Sequence, residues 1–551
     1  MKRVDYWRVA AVLAFAACSG PSGDAPSDAG GDGSDGSVDP DDSDATIPDG
    51  GLDDSAMPEP AFRIIATTPA VASTGNQTLA IDGVVAEFSE AVACSTVTDA
   101  SFSLSDLGVA VPGHVTCEGA TLTFHPSARL PTRTTLRATL AAGLASTAGN
   151  TLATAVAWEF EMAAWTRQID GPNHDWTDAI ATDGTSLYVA GTLLGAADAD
   201  LFLLKYSATG VEQWRHVLVS APSPDHGNAV AVSPSGALLI AGMTYGGLDG
   251  NPSGNGSENG FVAKYDLQGN KQWVRQITTN ANDGGWGVAG DANGNVYATG
   301  YTNGSPNGTT NAGGTDVFVV KYDAAGELQW TRLIGTTSHE STRGIAIDST
   351  GAIYVSGSTL GALGGNTSAG YKDGFLAKLD GSGTVQWIRQ FGSMLEDSAT
   401  AVTIDANDRV YVAGHTAGAV TSSPSAGGWD RFVLKYTTAG MLEWAQQIGT
   451  PNTETTNSVV TDGAGNIYVS GDAYGPIGGI DGYHTLVTKL DANGTEQWSQ
   501  QLELAAFGYG MTSLGMDVFV VGRTSYGLDG NTQGGATDGF VVKFDHDGRR
   551  R

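Results

Sequence analysis

The feature that most constrains the fold is a unit that recurs seven times in the C-terminal two-thirds of the chain. A tryptophan marks each unit, and successive tryptophans are separated by 49 to 59 residues. A lysine that closes an apolar strand and a glycine that follows another strand recur in the same phase. The tryptophans are Trp165, Trp214, Trp273, Trp330, Trp387, Trp444 and Trp498. Repeats of this length indicate a solenoid or a propeller.

Each unit contains four short apolar segments, as at residues 344–347, 353–356, 375–378 and 386–389. Four strands per repeat is the composition of a propeller blade. The two hairpin turns of a unit read Asp-x-x-Gly, in which the aspartate caps the turn and the glycine takes a positive φ. The sequence therefore predicts a seven-bladed β-propeller over residues 163–548.

The phase of the repeat also predicts how the ring closes. Trp165 precedes the first complete blade, and the strand that ends at Lys543 has no tryptophan strand after it. We therefore expect the N-terminal strand to complete the last blade, which removes exposed sheet edges. On this interpretation residues 549–551 are dispensable.

Two motifs resemble the bacterial β-propeller repeat (SBBP) family over about 380 residues. They are Gly-x-x-Gln-Trp-x-Arg-Gln, as at Gly383 to Gln390, and Asp-Gly-Phe-(Val/Leu)-x-Lys, as at Asp373 to Lys378. Members of that family are mostly extracellular and rarely have an assigned chemistry. The resemblance implies a fold and a compartment more than a function.

A smaller all-β domain is predicted over residues 61–162, where alternating apolar strands are separated by Gly, Pro and Asn turns. The motifs at 88–90, 122–126, 148–150 and 158–160 follow the order found in bacterial Ig-like (SbsA/Big_5-type) domains, which this segment resembles. Cys94 and Cys117 are expected to form a disulfide, and two buried thiols are the alternative.

The N-terminal segment predicts export. Basic residues precede a short apolar run, and the run ends in Phe15-Ala16-Ala17-Cys18-Ser19, which resembles a lipobox. We therefore expect a signal peptide over 1–17 and a lipid on Cys18, as in a bacterial lipoprotein. Secretion without a lipid stays open, because Phe15 replaces the usual leucine. Residues 18–60 are rich in Asp, Gly, Ser and Pro and predict a disordered linker.

The net charge of -31 argues against a nucleic-acid partner, because the chain would repel a phosphate backbone. A cation or a basic surface fits this charge better. An acid stands four residues before the start of each predicted innermost strand in six of the seven units, and Ala506 breaks the pattern. These acids are Asp175, Asp225, Asp283, Glu340, Asp397 and Glu454.

Two interpretations of these acids are open. They form a ring at the mouth of the central channel that binds a cation or a basic ligand, or each accepts hydrogen bonds from a neighbouring loop. Loops such as 248–251 and 528–531 carry oxygen ligands that suit Ca²⁺, but ordinary turn chemistry explains them as well. We expect no other cofactor and no metal site.

No nucleophile turn, zinc motif or phosphate-binding loop occurs in the sequence. The order of lipobox, linker, spacer domain and propeller predicts a non-enzymatic, monomeric protein at the outer membrane or cell surface. We expect it to bind a protein or glycan through the long loops of the propeller. The membrane would be reached through the lipid alone. The alternative is an extracellular carbohydrate-active or quinone-dependent propeller enzyme.

Overall fold

The computed structural model describes the chain from residue 62 onward with several gaps. The described residues are 62–68, 83–106, 108–127, 135–161, 165–169, 173–194, 199–218, 224–248, 258–421, 424–475, 482–502, 506–528, 531 and 533–551. The predicted signal peptide, the lipidation site Cys18 and the linker lie outside these residues, as do parts of the two loops considered for Ca²⁺. Helices in the described part are single 3-10 turns, and none has the length and apolarity needed to cross a membrane.

The first domain consists of two four-stranded sheets. One has the order β1-β2-β6-β5 and the other β4-β3-β7-β8. The strands are β1 Ile64–Thr68, β2 Val84–Phe88, β3 Phe102–Asp106, β4 Val109–Val111, β5 Gly113–Glu118, β6 Thr121–Pro126, β7 Thr135–Leu140 and β8 Val156–Glu161. Alternate side chains of both sheets fill one apolar core around Phe102, Phe124 and Trp158, as expected for a sandwich.

The structure contains the disulfide between Cys94 and Cys117, with the two Cα atoms 5.6 Å apart. Cys94 begins a 3-10 turn after β2, and Cys117 lies on β5, an edge strand of its sheet. The bond therefore fixes the irregular segment that links the two sheets.

The rest of the described chain forms seven four-stranded blades, one per repeat. Blade 1 is β10 Asp175–Thr182, β11 Ser186–Leu194, β12 Ala199–Ser207 and β13 Glu212–Leu218; blade 2 is β14 Asp225–Val232, β15 Ala237–Thr244, β16 Asn259–Asp266 and β17 Lys271–Ile277; blade 3 is β18 Asp283–Gly290, β19 Val296–Thr302, β20 Asp316–Tyr322 and β21 Leu328–Ile334. Blade 4 is β22 Glu340–Ile347, β23 Ile353–Thr359, β24 Asp373–Leu379 and β25 Val385–Phe391; blade 5 is β26 Asp397–Ile404, β27 Val410–Thr416, β28 Asp430–Tyr436 and β29 Leu442–Ile448.

The last two blades depart slightly from this plan. Blade 6 is β30 Thr453–Glu454, β31 Ser458–Thr461, β32 Ile467–Tyr474, β33 Tyr483–Leu490 and β34 Glu496–Gln501, with its innermost strand split in two; blade 7 is β35 Ala506–Leu514, β36 Asp517–Thr524, β37 Asp538–Phe544 and β9 Arg167–Ile169. Each innermost strand packs against those of the neighbouring blades, and β35 packs against β10. The ring is thereby closed, and the predicted all-β architecture is confirmed.

The strands of a blade form where apolar residues lie on both faces, because each sheet is covered by the next. In β23 every residue from Ile353 to Thr359 is buried. The turns between strands follow the Asp-x-x-Gly pattern: Asp348 Oδ1 accepts from the amides of Thr350 and Ala352, and Gly351 has a φ of 84°. These turns lie on one face of the ring, and the longer connections form the opposite, long-loop face.

Tryptophan and lysine of the repeat hold neighbouring blades together. In blade 3, Trp330 Nε1 and Lys321 Nζ both donate to the carbonyl of Gly381 in a turn of blade 4, at 3.2 and 3.3 Å. The Lys321 ammonium also lies 5.2 Å from the ring centre of Tyr297. Six of the seven repeat tryptophans lie on outermost strands, and Trp165 lies two residues before β9. Their position at blade interfaces is a structural one.

The closing strand β9 pairs with β37, and Gln168 Nε2 donates to Asp538 Oδ2 at 2.6 Å. One contact argues against the expectation that residues 549–551 are dispensable. Arg551 is buried, and its guanidinium pairs with the carboxylate of Asp545, which is 1% exposed. The expectation considered only strands and not this ion pair beyond the last one.

Candidate functional site

The six predicted acids all lie at the start of the innermost strands, on the long-loop face. None of them lines an open channel mouth, because each is 0 or 1% exposed. Glu340 illustrates their contacts: it accepts from the amide and hydroxyl of Thr336 at 2.7 Å each and from the hydroxyl of Thr359 at 2.7 Å. Asp283 makes the same set of contacts with Thr279 and Thr302.

These contacts correct the interpretation of the acids as an accessible cation ring. Each of Asp283, Glu340, Asp397 and Glu454 accepts from a Thr or Ser four residues earlier in the chain. That residue begins the loop from the preceding blade, so the carboxylate fixes the loop on the inner strand. The alternative interpretation, hydrogen bonding to loops, describes these four residues, and a buried carboxylate requires such donors.

At two blade interfaces a second buried acid lies close to one of the first set. Asp373, at the start of β24, interacts electrostatically with Asp397 of the next blade, and Asp316 interacts with Glu340 in the same way. Burial is the largest cause that raises the pKa of Asp397 and of Asp316. The neighbouring negative charge adds to this effect, and hydrogen bonds oppose it.

The side chains that do line the central channel are three residues further along each innermost strand. In six blades the pairing between the innermost and the second strand skips one residue at this point, which marks a β-bulge. In blade 6 the innermost strand is interrupted at the same point. A bulge redirects the skipped side chain. The seven bulge residues are Asp178, Asn228, Trp286, Arg343, Thr400, Asn457 and Tyr509, and all are partly or fully exposed.

Interactions between distant blades place the bulge residues around one space. Arg343 of blade 4 interacts electrostatically with Asp178 of blade 1 and Tyr509 of blade 7. Blades 1 and 7 are each three blades away from blade 4, so these groups face one another only across the channel. Neighbouring bulge residues also connect adjacent blades: Asn457 Nδ2 donates to the carbonyl of Gly508 at 2.7 Å.

One wall of the channel is cationic. The Arg343 guanidinium lies 4.8 Å from the ring centre of Trp286. Enclosure by protein is the largest cause of the lowered pKa of Arg343 and of Lys372, and the charge of Arg343 adds to the effect on Lys372. His415 stacks on Trp429 with ring centres 4.7 Å apart. Burial, together with the two cations, lowers the pKa of His415 to about 3, so that it is neutral at physiological pH.

The wall formed by blades 6 and 7 has different chemistry. Asp472 accepts from the amide of Gly508 and from Asn457 Nδ2, both at 3.1 Å. Burial raises the pKa of Asp472 to about 7, against the opposing effects of these hydrogen bonds and of Arg523. The Arg523 guanidinium lies 5.1 Å from the ring centre of Phe507 and 5.8 Å from that of Tyr509. The channel therefore presents charged, amide and aromatic groups together.

The sequence predicted the acids as channel-lining residues because an acid recurs in the repeat, whereas the residue that lines the channel does not. The bulge position carries Asp, Asn, Trp, Arg, Thr, Asn and Tyr in the seven units, whereas an acid stands three residues earlier in six of them. This lack of repetition was the signal in the sequence. Among the described residues no group of three His, Cys, Asp or Glu side chains could hold a metal ion.

Comparison with known families agrees with the two domains. Residues 58–162 match the bacterial Ig-like domain family, and residues 329–365 and 443–478 match the β-propeller repeat family. The predicted domain composition is thereby confirmed: the chain contains a bacterial Ig-like domain and β-propeller repeats.

Two curated proteins are similar to parts of the chain. The regulatory protein FlaEY of Caulobacter vibrioides is 32% identical over 296 residues, which is 49% of this chain and 30% of that protein. A WD repeat-containing protein of Acanthamoeba polyphaga mimivirus is 27% identical over 206 residues, or 33% of this chain and 14% of that protein. The chain thus spans less than a third of the length of these relatives.

Among solved structures, the β-propeller domain of the Trilobed protease from Pyrococcus furiosus is similar with a TM-score of 0.40 and 9% identity, covering 69% of this chain and 96% of that chain. Puromycin hydrolase is similar with a TM-score of 0.39 and 13% identity, covering 70% and 56%. The propeller assignment rests on the sheet topology of the chain itself.

Proposed function

We propose that this chain, which joins a bacterial Ig-like domain to β-propeller repeats, is a lipid-anchored surface protein that displays its propeller and binds a ligand through the central channel. The observation that carries the proposal is the set of seven bulge residues. Their chemistry differs from blade to blade, although the framework around them repeats. Structural positions in a repeat keep one residue type, whereas a binding site combines different groups around one ligand.

The exposure of the aromatic and charged bulge residues supports a role in binding. Arg343, Trp286 and Tyr509 are not buried, so they contribute less to packing than the buried strands do. Framework positions meet the needs of stability: the acids fix loops, and tryptophan and lysine join the blades. Among the bulge residues, Asn228, Thr400 and Asn457 also join blades by donating to a carbonyl of the next blade. Arg343 and Trp286 are therefore the bulge residues on which ligand binding chiefly depends.

Attachment to the membrane is the second part of the proposal. The lipobox-like Phe15-Ala16-Ala17-Cys18 and the linker after it support a lipid anchor. Cell fractionation of a Cys18→Ala variant tests this, with Ser19→Ala as the control that keeps the thiol. We expect Cys18→Ala to leave the membrane fraction and Ser19→Ala to remain in it. Equal membrane retention of both variants would disprove the anchor.

The non-enzymatic role is tested by a search for turnover. The purified protein is incubated with a panel of glycans and with quinone-dependent redox substrates, and products are analysed by mass spectrometry. We expect binding without chemical change. A product whose formation is lost in Asp178→Asn or Asp472→Asn would replace the proposal by the enzyme alternative, since carboxylates perform glycan hydrolysis.

A further inference from the structure

Arg343 is a cation in the channel that lacks an acceptor. Its guanidinium stacks on Trp286 at 4.8 Å, and it forms no hydrogen bond or ion pair with any residue that the structure describes. A guanidinium over the face of an aromatic ring can still donate its N–H groups to an oxygen acceptor. These groups match the two oxygens of a carboxylate, which they bind in a bidentate manner.

The surroundings of Arg343 favour an anion rather than a cation at this wall. Lys372 adds a second positive charge near Arg343, although the carboxylate of Glu396 affects Lys372 more strongly than Arg343 does. The acid that acts on Arg343, Asp178, belongs to a blade three positions away and forms no ion pair with it. The Arg343 side chain is exposed, so an anion that enters the channel can reach its N–H groups.

The remaining bulge residues indicate the body of the ligand. All seven are polar or aromatic, and none is aliphatic. The mouth adds aromatic rings, since Trp176 stacks on His226 and Trp429 stacks on His415. A pyranose ring offers hydroxyl groups to amides and hydroxyls and an apolar C–H face to aromatic rings. A peptide ligand that adds a strand to a sheet does not fit here, because the closed ring has no open edge at its centre.

We propose that the central channel binds a carboxylate-bearing saccharide of the uronic-acid class, with its carboxylate on Arg343 and a sugar ring against the aromatic side chains of the channel. This inference rests on the proposed binding function and names its ligand class. Arg343 supplies charge and the bidentate donor edge, and Trp286 orients the guanidinium.

Isothermal titration of the full-length protein tests the inference with oligosaccharides of galacturonic, glucuronic and mannuronic acid as probes. Each probe is compared with its methyl ester, which has the same rings without the charge. We expect at least one acid to bind and to be preferred over its ester. Arg343→Gln should weaken binding of the acid by about 10-fold or more and leave the ester unchanged.

Two variants complete the design. Arg332→Gln is the matched control, because Arg332 also stacks on a tryptophan, Trp330 at 5.7 Å, but lies on the outermost strand β21; it should bind like the wild type. Arg343→Lys keeps the charge without the planar fork and should lose part of the preference. Thermal melts of the variants show that they fold.

The outcomes separate the inference from the function on which it rests. Binding of the acid that is lost in Arg343→Gln and kept in Arg332→Gln supports both. Absence of binding to every uronic acid overturns the inference. If neutral saccharides or a peptide with a free C-terminal carboxylate bind instead, the channel remains a binding site and only the ligand class is refuted.

Discussion

Gly449 provides a test of the packing around Asp430, a buried acid at the start of β28. It lies directly after β29, and a methyl group on it would overlap Asp430 Oδ1. Asp430 cannot easily withdraw, because it is 1% exposed and its other oxygen accepts from the amide of Ala426 at 2.8 Å and from Gln447 at 2.7 Å. We predict that Gly449→Ala destabilises the propeller.

The magnitude follows from two opposing effects. Overpacking of a tight interior site costs about 1–3 kcal/mol. The loss of backbone freedom in the unfolded chain returns about 0.4–1 kcal/mol for a Gly→Ala substitution. The net expected loss in the free energy of unfolding is therefore about 1–2 kcal/mol.

Gly463→Ala is the control, because Gly463 lies in a turn with no atom within 4 Å of an added methyl group and has no positive φ. It should be neutral or up to about 1 kcal/mol more stable than the wild type. Urea unfolding followed by tryptophan fluorescence measures both variants. Equal midpoints for Gly449→Ala and Gly463→Ala would refute the close approach of Gly449 to the carboxylate of Asp430.

Three further predictions follow from contacts described above. Arg551→Ala should lower the free energy of unfolding by about 3–5 kcal/mol, because it leaves the buried carboxylate of Asp545 without its cation. Arg549→Ala, at an exposed position, should change it by less than about 0.5 kcal/mol. Urea unfolding measures both variants, and similar midpoints would contradict the buried ion pair. Reduction of the disulfide between Cys94 and Cys117 should destabilise the Ig-like domain by about 3 kcal/mol, measured as a lower melting temperature with reductant than without. In the folded protein the pKa of Asp472 is raised to about 7, above its unfolded value of about 3.9, so its contribution to stability should fall as the pH rises between these values. Asp472→Asn should remove this part of the pH dependence of the melting temperature. An unchanged pH dependence would contradict the raised pKa.

The fold could be predicted because its determinants repeat. Seven tryptophans in one phase specify seven blades, and the unpaired strands at the two ends of the repeat indicate how the ring closes. The hydrogen-bonding residues Asp348 and Gly351 were recognisable from a local four-residue pattern, which needs no knowledge of the tertiary structure.

The channel could not be predicted in the same way. A strand of alternating residues gives no sign of a bulge, and the bulge moves the channel-facing position three residues beyond the acid. The environment of Arg343 depends on Trp286, Asp178 and Tyr509, whose positions relative to it are set by closure of the whole ring. Likewise, the ion pair of Arg551 with Asp545 depends on how the chain turns after its last strand.

The pairing of β9 with β37 has a consequence for how the protein folds. The partners Gln168 and Asp538 are 370 residues apart in the chain. Contacts of such long sequence separation slow folding. During synthesis the Ig-like domain emerges first and can complete its core early, whereas the propeller remains an open array of blades until its final repeat has left the ribosome. Throughout that interval β9 lacks its partner β37, and its backbone is available to other strands. The last repeat therefore sets the time at which the earliest strand of the propeller becomes protected from aggregation.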